Sequence, residues 1–263
     1  MSLYARQLNI NDLERSLAVE TAAFPPAEAA TREKVIEYRL TVCPEICIGL
    51  FLRAGASLPS PIPHDIPFVE DSTPSDDVLL AHVISTKTTN KPVKDEDMDY
   101  PRNWKEDPQG DYAVGHNKNG RTIALHALAV APDYQRVGLG KAIMRVYIQR
   151  TKSLNAADRI SILTYDRLVP YYQRLGFEHY GKSESEYAGV AWHDLVSDIN
   201  NKSRKTNANW DVVLHTIFAS LHTFHQGIFG EDQATNDKLD RDIFPKWIPT
   251  MCVESSHLKD GLG

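Results

Sequence analysis

The residues best suited to chemistry stand in one stretch, Leu128 to Lys141, which reads L-x-V-x-P-x-x-Q-R-x-G-x-G-K. An apolar strand, TIALHALAV at 122–130, leads into it. The chain then turns at Pro132-Asp133, and a helix is expected to open near Gly138-Leu139-Gly140. The first amides of a helix have no partner inside it and point out of its end. Together with the helix dipole they attract an anion, and glycines let a bulky diphosphate approach the main chain. Gln135 and Arg136 stand just before the glycines, where their side chains can reach phosphate oxygens. The stretch reads as a diphosphate cradle. It is no Walker A loop, because Ala142 follows Gly140-Lys141, and it lacks the first glycine of a dinucleotide-binding G-x-G-x-x-G. His126 lies within the strand that leads to the cradle, with Ala124 and Leu128 as its expected alternation partners. A histidine can take a proton near neutral pH, although a lone strand histidine is more often a satisfied core residue.

Several elements must position these residues. LYARQL at 3–8 alternates like a strand, and Asn11 is expected to cap a helix over about 12–23, stopped by Pro25-Pro26. A second helix is expected over about 31–41, ending before Pro44. Buried strands are expected at 46–52, 78–85 and 159–165, and further strands at 177–182 and 191–199. KAIMRVYIQRTKSL at 141–154 is a helix with Ile143, Tyr147, Ile148 and Thr151 near one stripe. LVPYYQRL at 168–175 is a short helix with Pro170 in its first turn and Gly176 as its stop. The polar run over 86–120 is expected to be a mobile excursion from the core. Beyond Asn200 a polar linker precedes Val213, Ile217, Leu221 and Phe224 at helical spacing, which suggests an appended helix.

Bulk properties narrow the classes. An apolar share of 42% and a charged share of 24% are ordinary for a globular chain of 263 residues. A net charge of -6 argues against a nucleic-acid partner and fits a cationic substrate. Cys43, Cys47 and Cys252 form no disulfide framework, and Cys43 with Cys47 reads as a pair of small buried side chains. His215, His222 and His225 lack a carboxylate or cysteine that would complete a metal set, so no metal is expected. With no apolar run of signal or membrane length, the expected setting is the cytoplasm, without a membrane partner.

At this point the motifs resemble a known family. QRVGLG at 135–140 is similar to the Q/R-x-x-G-x-G/A coenzyme A signature of the GNAT superfamily, in its usual place between an apolar strand and an amphipathic helix. LVPYYQRLGF at 168–177 is similar to the family's (A/V)-x-x-(F/L)-Y-x-(R/K)-x-G-F segment. ALHALAV at 124–130, TVCPEICIGLF at 41–51 and ETAAFPPAEAAT at 20–31 resemble arylalkylamine (serotonin) N-acetyltransferases, especially their fungal and bacterial-type relatives. The resemblance covers most of 3–199 and leaves 86–120 and the tail unmatched.

It implies an α/β (α+β) fold, the GNAT fold, with a mixed, twisted central sheet splayed in the middle and flanking helices. Residues 1–199 would form the acetyltransferase domain, with 86–120 as an insertion and 200–263 as an extension. Acetyl-CoA would be the co-substrate, its pantetheine arm on the main chain of Leu128, Ala129 and Val130. Its diphosphate would lie against Gln135 and on the amides of Arg136, Val137, Gly138, Leu139, Gly140 and Lys141. The family's H-x-H pair survives here only as its second member: Ala124 replaces the first histidine, and His126 is the implied base. Tyr172 matches the family's proton-donating tyrosine, with Tyr171 the weaker alternative. The implied amine pocket draws on Phe24, Pro26 and Leu163, with Glu28 as a possible counter-charge. His82, His193 and Asp166 read as structural, with Asp166 the one nearest to mattering. The expected activity is acetyl transfer to a small primary amine, an arylalkylamine or polyamine, by a monomer. Acetylation of protein lysines or N-termini, and a catalytically silent acyl-CoA-binding module, are the alternatives.

Overall fold

The computed structural model describes residues 2–24, 32–71, 76–186 and 189–200. Pro26, Glu28 and the expected C-terminal helix with His215, His222 and His225 lie outside the described residues, as does Cys252.

The chain enters through a strand, β1 (Leu3–Gln7), that ends in a tight turn at Ile10–Asp12. The cap of that turn is Asn9, not the expected Asn11. Its side chain accepts from the amide of Asn11 at 2.9 Å, while the Asp12 carboxylate accepts from the amide of Asn9 at 3.1 Å. Asp12 is fixed in that position because Arg6 holds both its oxygens, at 2.7 and 2.8 Å, in an ion pair that is 1% exposed on each side. Two helices follow, α1 (Leu13–Ala23) and α2 (Arg32–Val42), and α2 stops short of Pro44. Ile46 sits in the turn that Pro44 starts, so the next strand, β2 (Ile48–Leu52), begins two residues later than expected. All five of its residues are buried. A two-residue strand, β3 (Phe68–Val69), is too short to leave a periodic signal.

The central strands are long. β4 (Val78–Thr88) runs three residues beyond its expected end, because the polar Thr86, Lys87 and Thr88 pair with β5 (Thr122–Val130). A short helix, α3 (Asp95–Met98), lies between them. Then come α4 (Leu139–Ser153), β6 (Arg159–Thr164), α5 (Val169–Arg174), β7 (Glu178–Lys182) and β8 (His193–Asp198). The eight strands form one mixed sheet in the order β3-β1-β2-β4-β5-β6-β8-β7. Only β1–β3 and β5–β6 are parallel pairs. Helices cover both faces. On one, Ile143, Met144 and Tyr147 of α4 pack with Leu80, Val83 and Ile123. On the other, Val19, Ile36 and Leu40 of α1 and α2 pack with Leu79, Ile84 and Ala127. Full burial of such side chains stabilises by about 1.5–3 kcal/mol each.

The segment expected to be a mobile excursion is packed. Tyr100 and Trp104 are buried against Val35 and Tyr38 of α2, and the Tyr38 hydroxyl accepts from the amide of His116 at 2.8 Å. The aromatic side chains that the polar run carries supply enough apolar surface to dock it. Cys43 and Cys47 are buried, with their sulfurs toward the carbonyls of Arg39 and Ser85. Among the described residues no three His, Cys, Asp or Glu side chains are grouped to hold a metal, and no helix is long and apolar enough to cross a membrane.

Candidate active site

The site begins with a discontinuity in β5. Its parallel pairing with β6 runs from Thr122↔Arg159 to Leu125↔Ile162 and stops there, leaving residues 126–130 without a strand partner on that side among the described residues. On the other side the register with β4 slips: Ile84 faces Ala127 while Ser85 faces Leu125, so His126 is the extra residue of a β-bulge. The bulge resets the alternation. Ile123 and Leu125 lie in the α4-side core, and so does Leu128, whereas Ala127 and Ala129 lie in the other. His126 therefore does not share a simple period-two row with Ala124 and Leu128, as strict alternation had suggested.

The splay opens a cleft of about 950 Å³, a figure that includes the open solvent at its mouth. His126 and Tyr172 both line it, and so do Phe24, Leu128 and Leu163. The imidazole of His126 is held by two neighbours, Thr86 Oγ1 at 2.8 Å from Nε2 and Met98 Sδ at 3.2 Å from Nδ1. Burial pushes its pKa well below 6.5, and the Arg39 guanidinium and His116 lower it further. His126 is thus neutral at pH 7. His116 itself is lowered to about 4, chiefly by burial and then by Lys87. Its Nδ1 accepts from the amide of Lys87 at 3.1 Å.

α5 sorts the two adjacent tyrosines. Tyr172 faces the cleft and packs edge-on against Phe177, its ring centroids 5.6 Å away; burial raises its pKa, so the phenol keeps its proton. Tyr171 points to the start of α4 instead: a methyl group at Gly140 would come within 3.0 Å of its hydroxyl. That hydroxyl is buried and has no hydrogen-bond partner among the described residues, and burial raises its pKa to about 12.

The glycine turn has the form expected of a cradle. Gly138, the N-cap of α4, has φ +96 and Arg136 has φ +65, so the chain folds back on itself just before the helix. Gly138, lacking a side chain, gives the first amides of α4 no cap of its own. Gln135 does not reach outward; its Nε2 donates to the carbonyl of Val130 at 3.0 Å and ties the turn to the end of β5. The Leu139 side chain is core, Val137 is 49% exposed, and Arg136 and Lys141 are exposed. An anionic diphosphate fits these residues: helix amides without a side-chain cap, a left-handed glycine and an unpartnered buried hydroxyl converge on one place. The main chain of Leu128, Ala129 and Val130 faces the gap left by β6.

Other side chains in the cleft were not singled out from the sequence. Glu20, Arg39 and Trp192 line it, and Met98 comes from the segment between β4 and β5. They come from α1, α2, α3 and the approach to β8, and no linear motif joins such distant positions. His193 and Asp166 stand outside the lining: His193 shares a hydrogen bond with His179 at 2.8 Å and approaches Asp166 at 3.6 Å.

Comparison with known proteins agrees with this geometry. Residues 78–198, from β4 to β8, match the acetyltransferase (GNAT) domain model. Serotonin N-acetyltransferase of Mesocricetus auratus is 35% identical over 80 residues, which is 30% of this chain and 39% of that protein. The same enzyme of Macaca mulatta is 33% identical over the same extent. The chain thus spans 39% of the length of the curated relatives it matches. The loading GNATL domain of CurA from Lyngbya majuscula superposes with a TM-score of 0.53 at 14% identity, over 76% of this chain and 98% of that one. A GphF GNAT-like decarboxylase in complex with isobutyryl-CoA gives 0.50 at 11% identity, over 74% and 98%. The architecture is the GNAT fold.

Proposed function

We propose that this chain, whose residues 78–198 form an acetyltransferase (GNAT) domain, transfers the acetyl group of acetyl-CoA to a small primary amine. The observation that carries the reading is that His126 and Tyr172 line one cleft where β5 parts from β6. The amides of α4 and the main chain of 128–130, which β6 leaves unpaired, suit the diphosphate and pantetheine of the donor, and the cleft suits a small acceptor. The similarity to serotonin N-acetyltransferases supports an arylalkylamine, with polyamines as a related class.

In this reading the amine nitrogen, once neutral, attacks the thioester carbonyl carbon and the C–N bond forms. The Arg39 guanidinium that lowers His126 acts in the same sense on an amine bound beside it, favouring the neutral nucleophile. The nitrogen of the tetrahedral adduct is much more acidic than the free amine, so neutral His126 can accept its proton. The C–S bond then breaks, the thiolate takes a proton from the Tyr172 phenol, and the proton held by His126 returns through solvent to the phenolate, so that the one proton lost is the one shed when the ammonium became neutral. One proton is released per turnover, and holding amine and thioester together supplies much of the remaining acceleration. The test is thiol release from acetyl-CoA with tryptamine, phenylethylamine, spermidine and a lysine peptide in parallel. Release with the small amines is expected. Release with the peptide alone overturns the substrate class, and no release with any acceptor overturns the reading.

A further inference from the structure

A buried histidine hydrogen-bonded to a residue of the cleft has no place in the chemistry above. His82 lies in the middle of β4, opposite Gly49 of β2 and Ala129 of β5, and is wholly buried. Its Nε2 stands 2.7 Å from Oε2 of Glu20, one turn before the end of α1. Its Nδ1 has no hydrogen-bond partner among the described residues. A buried polar atom left unpaired is costly, and an apolar side chain at 82, like Leu80, Ala81 and Val83 around it, would carry no such cost. What the histidine supplies in return is a fixed position for Glu20. Glu20 lines the cleft, and its side chain is 12% exposed. Phe24, whose amide donates to the Glu20 carbonyl at 3.0 Å, lines the same cleft one helical turn on. An apolar ring and a carboxylate thus stand side by side in a space that also holds Arg39 and His126.

Resting on the acetyltransferase reading, we propose that Glu20, positioned by His82, is the receptor for the acceptor's ammonium group, and that the substrate class is therefore primary alkylamines that arrive as cations. Glu20 draws the charged end into the cleft while Phe24 takes the apolar body. Arg39, on the same wall, opposes retention of the charge, so the amine is held near His126 but is not trapped as a salt.

The experiment compares nucleophiles that differ in charge. Wild type, Glu20→Gln, Glu20→Asp and His82→Leu are assayed with tryptamine, spermidine and O-benzylhydroxylamine, the last uncharged at neutral pH. Glu20→Gln is expected to raise KM for the two alkylamines about tenfold or more, the worth of a charged hydrogen bond. KM for O-benzylhydroxylamine and for acetyl-CoA is expected to stay within about twofold, since neither loses such a bond. Glu20→Asp should recover part of the loss, and His82→Leu, which keeps an apolar core, should shift alkylamine KM in the same direction as Glu20→Gln. Equal losses for charged and neutral nucleophiles would reduce the pair to a helix-to-sheet pin, and no loss in either Glu20→Gln or His82→Leu would overturn the proposal outright. If the wild type turns over none of the three, the acetyltransferase reading falls and takes this one with it, a result separate from an active wild type with an indifferent Gln variant.

Discussion

The two halves of β5 belong to one strand and have opposite fates. Residues 122–125 are paired on both sides, by β4 and β6, and Thr122, Ile123 and Ala124 are wholly buried. Residues 126–130 keep only β4, and even that register slips at His126. An unpaired strand edge inside a core is expensive, since each main-chain group there wants a hydrogen bond. In the second half those groups border the gap that β6 leaves, and the carbonyl of Val130 is met by Gln135 Nε2 at 3.0 Å.

The comparison can be broken most strongly in the paired half. Ile123→Ala should lower unfolding free energy by about 2–5 kcal/mol, as buried truncations do. Turnover per folded molecule should be unchanged, checked by denaturant unfolding alongside kcat. A fall in kcat at constant stability would mean that the two halves are not separate.

The next effect is pH-dependent. His116, lowered to about 4, stays neutral in the folded chain while the unfolded chain takes up a proton near pH 6.5. Below pH 6.5 the unfolded state therefore binds more protons, and stability falls as pH drops toward 4. The loss from this residue reaches at most about 3 kcal/mol. His126, lowered in the same direction, adds to it. Urea unfolding at neutral and acidic pH should show His116→Gln losing less than the wild type; an equal loss would contradict the buried neutral imidazole.

On the cleft side, Tyr172→Phe should lower kcat by about a hundredfold, close to 2.7 kcal/mol, with the fold intact. Tyr171→Phe should act on coenzyme A affinity and leave kcat at saturating donor nearly unchanged, because that hydroxyl faces Gly140 and not the cleft. A reversed ranking would move the proton donor to the other tyrosine. The smallest effect belongs to the turn: Gly138→Ala, at φ +96, should cost about 1–2 kcal/mol through left-handed strain and weaken coenzyme A binding accordingly. Unchanged stability in thermal unfolding would show that the turn relaxes to another conformation.

What could be read from the sequence follows the same division. The glycine turn was legible because its physics is local: strand, turn, left-handed glycine and uncapped helix lie within about a dozen consecutive residues. Most of the longer strands are legible from their apolar patterns, the polar and exposed β7 only from the helix stop at Gly176 before it, and β3, with two residues, leaves no signal. The end of β4 was misjudged because Thr86, Lys87 and Thr88 look like loop residues until β5 is placed beside them. The acceptor side of the cleft was barely legible. His82 sits in VLLAHVIS as one polar letter in a buried strand, and Glu20 as one more charge on a helix. Their meeting at 2.7 Å depends on how α1 lies on the sheet, which no local pattern states. The bulge at His126 was hidden for the same reason, because register belongs to a pair of strands.

The central claim is that the amides opening α4 grip a diphosphate, and calorimetry tests it directly by comparing coenzyme A with pantetheine, which has the same arm and no diphosphate. Coenzyme A is expected to bind about tenfold or more tightly than pantetheine, with the difference shrinking as salt is raised. Equal affinity for the two, or no heat with coenzyme A at all, would contradict it.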